Sequence, residues 1–81
     1  MDVEAIKKAL GITIDDVDFD MKLTIKMMAV EQYLVNAGAT NLYNELGIMC
    51  VAVGVNDLLN EGAGETKFSS AFNILANQIC R

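Results

Sequence analysis

The chain has 81 residues, a net charge of −5 and a hydrophobic content of 53%, and it contains no His and no Pro. A single domain of this length has a thin core, so we expect part of the apolar surface to meet another chain. The 6 basic residues are scattered, which argues against ordinary nucleic-acid binding, and the lack of His removes the commonest general acid–base group.

The first predicted element is a short helix from Val3 to Leu10, at the start of the opening segment MDVEAIKKALG. Acidic residues stand at its start and Lys7 and Lys8 near its end, which suits the helix dipole, and Gly11 can end it. The segment has no apolar signal-peptide core, and the longest uncharged apolar run, 46–55, is about half a membrane span. We therefore expect a soluble, intracellular protein that does not enter a membrane.

The second element begins with a strand-like pattern, because apolar and polar residues alternate from Val17 to Met27. However, no Asn-Gly or Asp-Gly turn joins this run to another candidate strand. The segment that follows, MMAVEQYLVNAG, has helical spacing, and no helix breaker stands between Asp16 and Asn36. The sequence thus predicts one helix from Asp16 to Ala37, capped by Thr13 or Asp15.

This helix would carry two apolar stripes. In a helix, which turns by about 100° per residue, alternating apolar residues lie on two faces. The first stripe, predicted to face the core, contains Phe19, Leu23, Met27, Val30, Leu34 and Ala37. The second contains Val17, Met21, Met28 and Val35, with Ile25 beside it. We predict that the second stripe is a subunit interface; the alternative is packing against another helix of the same chain.

Two further helices complete the prediction. Thr40 is the predicted N-cap of the third, in which Leu42, Leu46, Met49 and Val53 share one face. Residues 48–55 could instead form a buried strand, and Gly47 and Gly54 suggest a packing groove. After the loop NEGAGETK, a helix capped by Thr66 or Ser69 ends the chain. Together these elements predict an all-α bundle of about four helices over residues 1–81, with a core of Phe19, Leu23, Val30, Leu34, Leu46, Val53, Phe72 and Leu75.

The sequence predicts no catalytic, cofactor or metal site, and hence no enzyme. The acidic residues between Asp15 and Asp20 lack the Gly and Glu that a calcium loop requires at fixed spacing. EGAGETK echoes a phosphate loop, but Phe68 stands where Ser or Thr is needed. Cys50 and Cys80 are too few for zinc, so we expect buried, inert thiols, with a disulfide as the alternative.

The order of these motifs resembles a known family. A short helix with IKKALGI precedes an acidic DDVDFD that opens a long helix, and CVAVGVNDL and KFSSAFNILANQI follow. This organisation is similar to the small head–tail connector (adaptor) proteins of tailed bacteriophages. The resemblance implies an all-α subunit of a ring, typically dodecameric, that extends the DNA channel beneath the portal protein. It also implies a stopper or tail-completion protein as the second partner, and a location in the virion neck after synthesis in the host cytoplasm.

Such a role gives two sets of residues an expected place. Val17, Met21, Ile25, Met28 and Val35 would form a heterologous contact between neighbouring subunits. Asp16, Asp18, Glu61 and Glu65 would face the channel, where negative charge lets double-stranded DNA pass without sequence-specific binding; plain solvation is the alternative. The alternative function is a small cytosolic regulatory or binding module that forms a homodimer through the same stripe.

Overall fold

The computed structural model describes residues 1–60 and 68–80 of the chain. They contain four helices: α1 (Val3–Leu10), α2 (Val17–Asn36), α3 (Glu45–Asn60) and α4 (Ser70–Ile79). Within these residues the only β-type pairing is an isolated bridge between Ala39 and Cys80. The prediction of an all-α protein with four helices is confirmed.

Side-chain caps set where the helices begin. Asp2 accepts a hydrogen bond from the backbone N–H of Ala5 at the start of α1, and Gly11 ends that helix with a left-handed φ of 71°. At the start of α2 the cap is Asp16, whose carboxylate accepts from the N–H of Asp18 at 2.9 Å. The prediction of Thr13 or Asp15 as this cap is therefore wrong. Ser69 is the N-cap of α4, and it is one of the two residues predicted for that position.

Helix α2 is continuous over 20 residues in spite of its strand-like alternation. Its buried face is formed by Leu23, Met27, Val30 and Leu34, which all belong to the predicted first stripe. Phe19 is half-buried against this core, whereas Ala37 is exposed because it lies at the C-cap, where the helix ends. The helical prediction is confirmed, and burial selects one of the two apolar faces.

Helix α3 begins later than predicted. Asn44, not Thr40, stands at its start, and the Asn44 side chain accepts a hydrogen bond from the Gly47 N–H at 2.7 Å. The run from Ile48 to Val55 is helical, so the strand alternative is wrong.

The face of α3 that enters the core also differs from the predicted one. It is formed by the small residues Gly47, Cys50, Val51, Ala52, Gly54 and Val55. Leu46, predicted to be core, is 38% exposed, because the helix turns its smaller side chains toward α1, α2 and α4. Of the other predicted core residues, Leu23, Val30, Leu34 and Phe72 are buried, whereas Val53 and Leu75 are half-buried against the core.

Gly54 lies where α3 packs closely against two neighbouring helices. A Cβ at this position would lie 2.7 Å from Cε1 of Phe72 and 2.8 Å from Cγ1 of Val30, which is closer than atoms pack. Helix α3 therefore approaches both α2 and α4 at a glycine, as the predicted groove requires. Gly47 has another role, because it lies against the backbone of Leu42 in the preceding connection.

One ion pair joins α1 to α2. The Lys7 side chain is buried, and its Nζ lies 3.1 Å from Oδ1 of Asp20. The hydrogen bond to Asp20 raises the pKa of Lys7 above its ordinary value, and this effect outweighs the opposing effect of desolvation. Asp20, one of the four clustered acids of the sequence, is thus a structural partner of Lys7.

Replacement of Leu34 by Ala tests the packing of α2. Leu34 is fully buried, so Leu34→Ala should lower the free energy of unfolding by about 2–5 kcal/mol, as other large-to-small core changes do. Val35→Ala is the matched control. Val35 is the next residue in the chain but is exposed, so its side chain should contribute little to the stability of the isolated chain. Urea unfolding followed by circular dichroism measures both; equal midpoints for the two variants would contradict the assignment of Leu34 to the core.

Replacement of Lys7 by Met tests the ion pair between α1 and α2. It leaves the Asp20 carboxylate without its cation, so the urea midpoint at neutral pH should fall. The stabilisation given by Lys7 is present below its unfolded pKa, about 10.5, and is lost as the pH rises through its higher folded pKa. The difference between the wild type and Lys7→Met should therefore shrink as the pH rises above 10.5 and through the higher pKa of the folded chain. Lys8→Met, at an exposed neighbour, should leave the midpoint unchanged at every pH.

Candidate functional site: an exposed apolar stripe on the second helix

The second apolar stripe of α2 lies in solvent in the single chain. Its five residues have exposed fractions between 52% and 75%, and they are Val17, Met21, Ile25, Met28 and Val35. We call this set the α2 stripe. No helix of residues 1–60 and 68–80 covers it, so the alternative of packing within one chain is wrong for the part of the chain described.

The position of the α2 stripe follows from the way α2 joins the bundle. The residues that enter the core recur at helical spacing on the opposite side, from Leu23 to Leu34. Lys22 is exposed on one flank of the stripe, and the half-buried Glu31 lies on the other. The stripe is therefore an apolar band with a charged residue on each side, which is typical of a surface that pairs with another protein.

Two clefts run along the α2 stripe. The first, of about 330 Å³, is lined by Val17, Asp20, Met21, Thr24 and Ile25. The second, of about 320 Å³, is lined by Met28, Glu31, Gln32 and Val35. The first four residues of the first cleft and the four residues of the second have the spacing i, i+3, i+4, i+7, which is that of a hole in knobs-into-holes packing with a facing helix. The shape of the stripe thus suits a helical partner.

The two methionines give the stripe a further property. Met21 and Met28 each contribute to one of the two clefts. Their flexible, unbranched side chains adapt to the shape of a partner more easily than β-branched residues do. The stripe therefore combines the flexible Met21 and Met28 with three stiffer β-branched residues, Val17, Ile25 and Val35.

The acidic residues predicted to face a channel have different surroundings. Asp16 is exposed and serves as the N-cap of α2, so helix capping already accounts for its presence. Asp18 is exposed in the first turn of the same helix. Glu61 and Glu65 lie outside the described residues. The orientation of these four acids toward DNA stays a prediction.

A second exposed apolar surface was missed by the sequence analysis. Tyr43, Leu46 and Met49 lie in the connection before α3 and in the first turns of that helix, and all three are exposed. We call this set the α3 patch. Leu46 is predicted to be core because it shares an apolar helical face with Met49 and Val53; the series Gly47, Cys50 and Gly54 is the signal that marks the buried side.

A third cleft lies in the described part of the chain, away from the α2 stripe. It has a volume of about 310 Å³ and lies between the connection before α3 and the end of α4. Its lining contains amide, hydroxyl and apolar groups but no titratable side chain: Gly38, Thr40, Asn41, Asn44, Leu46, Gln78 and Ile79. It therefore lacks the acid, base or nucleophile that a catalytic site requires.

The two cysteines are free thiols, so the disulfide alternative does not apply to this structure. Cys50 is fully buried in α3, and burial raises its pKa to about 11. Cys80 is half-buried, and its thiol lies 3.7 Å from the backbone carbonyl oxygen of Leu34. A thiol that stays protonated at neutral pH is a poor nucleophile, which fits the predicted inertness of Cys50.

Comparison of the chain with protein-family models, with curated proteins and with solved structures gives no match in any of the three. No helix in residues 1–60 and 68–80 is both long enough and apolar enough to cross a membrane. Function must therefore be inferred from the fold and from the exposed apolar surfaces.

Alkylation by iodoacetamide tests the difference between the two thiols. At pH 8 the folded chain should be modified slowly at Cys50, because that thiol is buried and almost fully protonated, while Cys80 should react faster. In urea both should react at similar rates. Peptide mass spectrometry at successive times measures the two rates, and equal rates in the folded chain would contradict the burial of Cys50.

Proposed function

We propose that this chain is a structural subunit of the neck of a tailed bacteriophage. Twelve copies form a ring beneath the portal protein, and the ring extends the channel through which double-stranded DNA passes. The opposite face of the ring receives a stopper or tail-completion protein. The order of the four helices, the acidic start of α2 and the apolar α3 support this proposal, since they carry the resemblance to head–tail connectors.

The observation that carries the proposal is the exposed α2 stripe. Full burial of one Val, Ile or Met side chain contributes about 1.5–3 kcal/mol, so five such residues in line favour association strongly. In the single chain these residues are at least half exposed. In a ring, the neighbouring subunit covers this surface permanently, which explains why so small a chain carries it.

The charge of the chain supports the same role. The net charge is −5, and the basic residues do not form a stripe that could hold phosphates. An acidic channel wall repels the DNA backbone and lets the duplex move. Asp18 supports this role as an exposed acid beside the cap of α2 that no ion pair within the described residues engages.

The alternative function, a cytosolic regulatory homodimer, uses the same stripe. It is favoured by the two clefts, since a second copy of α2 could supply the side chains that fill them. The two functions differ in the assembly formed. A connector subunit forms higher oligomers on a portal protein, whereas a regulator is a stable dimer that a portal does not recruit.

Replacement of Met28 by Asp tests the role of the stripe. Asp would place an unpaired charge in the subunit contact, so assembly should be abolished. The helix content of the single chain should not change, because Met28 is 61% exposed there. Ile74→Asp on α4 is the matched control, since Ile74 is 63% exposed and lies outside the stripe. Native mass spectrometry of each variant with a portal ring, and circular dichroism of each variant alone, give the two measurements.

Two results would contradict the proposal. If Met28→Asp unfolds the single chain, the stripe contributes to folding and not to assembly. If Met28→Asp and Ile74→Asp bind the portal ring and oligomerise as the wild type does, the stripe has no role in a ring. A wild-type chain that forms only dimers, with or without a portal ring, would favour the regulatory homodimer.

A further inference from the structure

A closed ring of identical subunits requires each subunit to offer two different surfaces. In such a heterologous contact, one surface of each copy meets another surface of its neighbour. The α2 stripe supplies only one of them. If the proposed function is correct, a second surface must therefore exist on the same chain, and its residues should be identifiable in the structure.

Six large apolar side chains outside the α2 stripe are exposed: Ile14, Tyr33, Tyr43, Leu46, Met49 and Ile74. Tyr33 contacts its own chain, because its ring centroid lies 5.0 Å from that of Phe68. Ile14 precedes α2 close to the first residues of the stripe, and Ile74 is the only exposed large apolar residue of α4. Of the other three, which form the α3 patch, Leu46 and Met49 lie on α3 and Tyr43 lies two residues before its first residue, so within the described residues they are the exposed large apolar side chains that lie near one another in sequence away from α2.

The shape of the α3 patch fits the clefts of the α2 stripe. Leu46 and Met49 are three residues apart on α3, so their side chains project from neighbouring turns of one helix. Unbranched or γ-branched side chains of this kind are suitable knobs for a four-residue hole. The cleft lined by Val17, Asp20, Met21 and Thr24 is such a hole.

Lys22 on one flank of the α2 stripe and Glu45 beside the α3 patch have opposite charges, while Glu31 lies on the other flank of the stripe. Lys22 is exposed on the flank of the α2 stripe, and no ion pair within the described residues engages it. Glu45 is exposed at the first position of α3, adjacent to Leu46, and is likewise without an ion-pair partner in that part of the chain. An oppositely charged pair at the edge of an apolar contact sets its register and orientation.

We propose that the α2 stripe of one copy packs against the α3 patch of the next copy, with Lys22 facing Glu45 of that neighbour. This proposal rests on the proposed function, because only a ring requires a second surface. It also separates the two α2 helices of neighbouring copies. Pairing of two α2 helices in parallel would instead place Asp16 and Asp18 beside the same acids of the partner, which is unfavourable.

A mixing experiment tests the contact without a portal protein. Met28→Asp destroys the α2 stripe but leaves the α3 patch intact, and Met49→Asp destroys the patch but leaves the stripe intact. In the proposed geometry each variant alone lacks one half of every contact and stays monomeric. Mixed in equal amounts, they retain one complete contact, between the stripe of Met49→Asp and the patch of Met28→Asp, and should form a heterodimer that cannot grow further.

Analytical ultracentrifugation and native mass spectrometry measure the result. Each variant alone should show the 8.8 kDa monomer, with self-association weakened more than about tenfold, because an unpaired charge is strongly unfavourable in an apolar contact. The mixture should show a dimer that contains one copy of each variant. Circular dichroism confirms that both chains are folded, and Tyr43→Asp, at the most exposed patch residue, replaces Met49→Asp if that variant does not fold.

Charge reversal gives a second readout. Lys22→Glu or Glu45→Lys alone should weaken assembly, since each places like charges at the edge of the contact. The double variant restores an opposite pair in every contact and should assemble as the wild type does. Lys8→Glu, an exposed charge reversal away from both surfaces, is the control.

The possible failures are distinguishable. If the mixture gives no heterodimer while Met49→Asp and Tyr43→Asp still assemble alone, the α3 patch is not the receiving surface, but the ring is unaffected. If Met49→Asp and the wild type both form only homodimers, the intact α2 stripe of one copy pairs with the same stripe of the other about a two-fold axis. The proposed ring is then wrong as well. A wild type that stays monomeric even with a portal ring overturns both proposals.

Discussion

The arrangement of the bundle depends on the close approach of α3 to its neighbours at Gly54. A methyl group at this position would lie within 3 Å of side-chain atoms of Phe72 and Val30, so a larger residue requires these side chains to shift. Because α3 turns its small residues inward, α1, α2 and α4 all pack against this one helix. The same orientation sends Leu46 and Met49 outward, and the α3 patch is therefore a consequence of how the core is packed.

This packing also determines what remains uncovered on α2. A bundle of four helices in which α3 is central leaves α2 on the outside, with one face against the core and the opposite face in water. No helix of residues 1–60 and 68–80 covers the α2 stripe. The ion pair between Lys7 and Asp20 adds to this constraint, since it ties the start of α2 to α1 beside the stripe.

The proposed function links these surfaces to one task. A ring subunit needs a stable fold of its own, two apolar surfaces that find each other in neighbouring copies, and no affinity for the DNA that passes through. Packing around α3 provides the stable fold, and the α2 stripe and the α3 patch are suited to form the contacts between copies. The acidic charge is suited to a channel that does not bind DNA, although Asp16 also caps α2. No titratable side chain lines the cleft beside α4.

The sequence by itself determined the helices and the two faces of α2. Local features were enough for this, because the Asp2 cap and Gly11 bound α1, and the absence of a turn or breaker made Val17–Met27 helical in spite of its alternation. Only the tertiary structure decided which face of α3 is buried. Periodicity reveals that apolar residues share a side, but the choice between Leu46 and Gly54 for the core depends on how closely three neighbouring helices must approach. That distance is a property of the packed bundle, so no local pattern contains it.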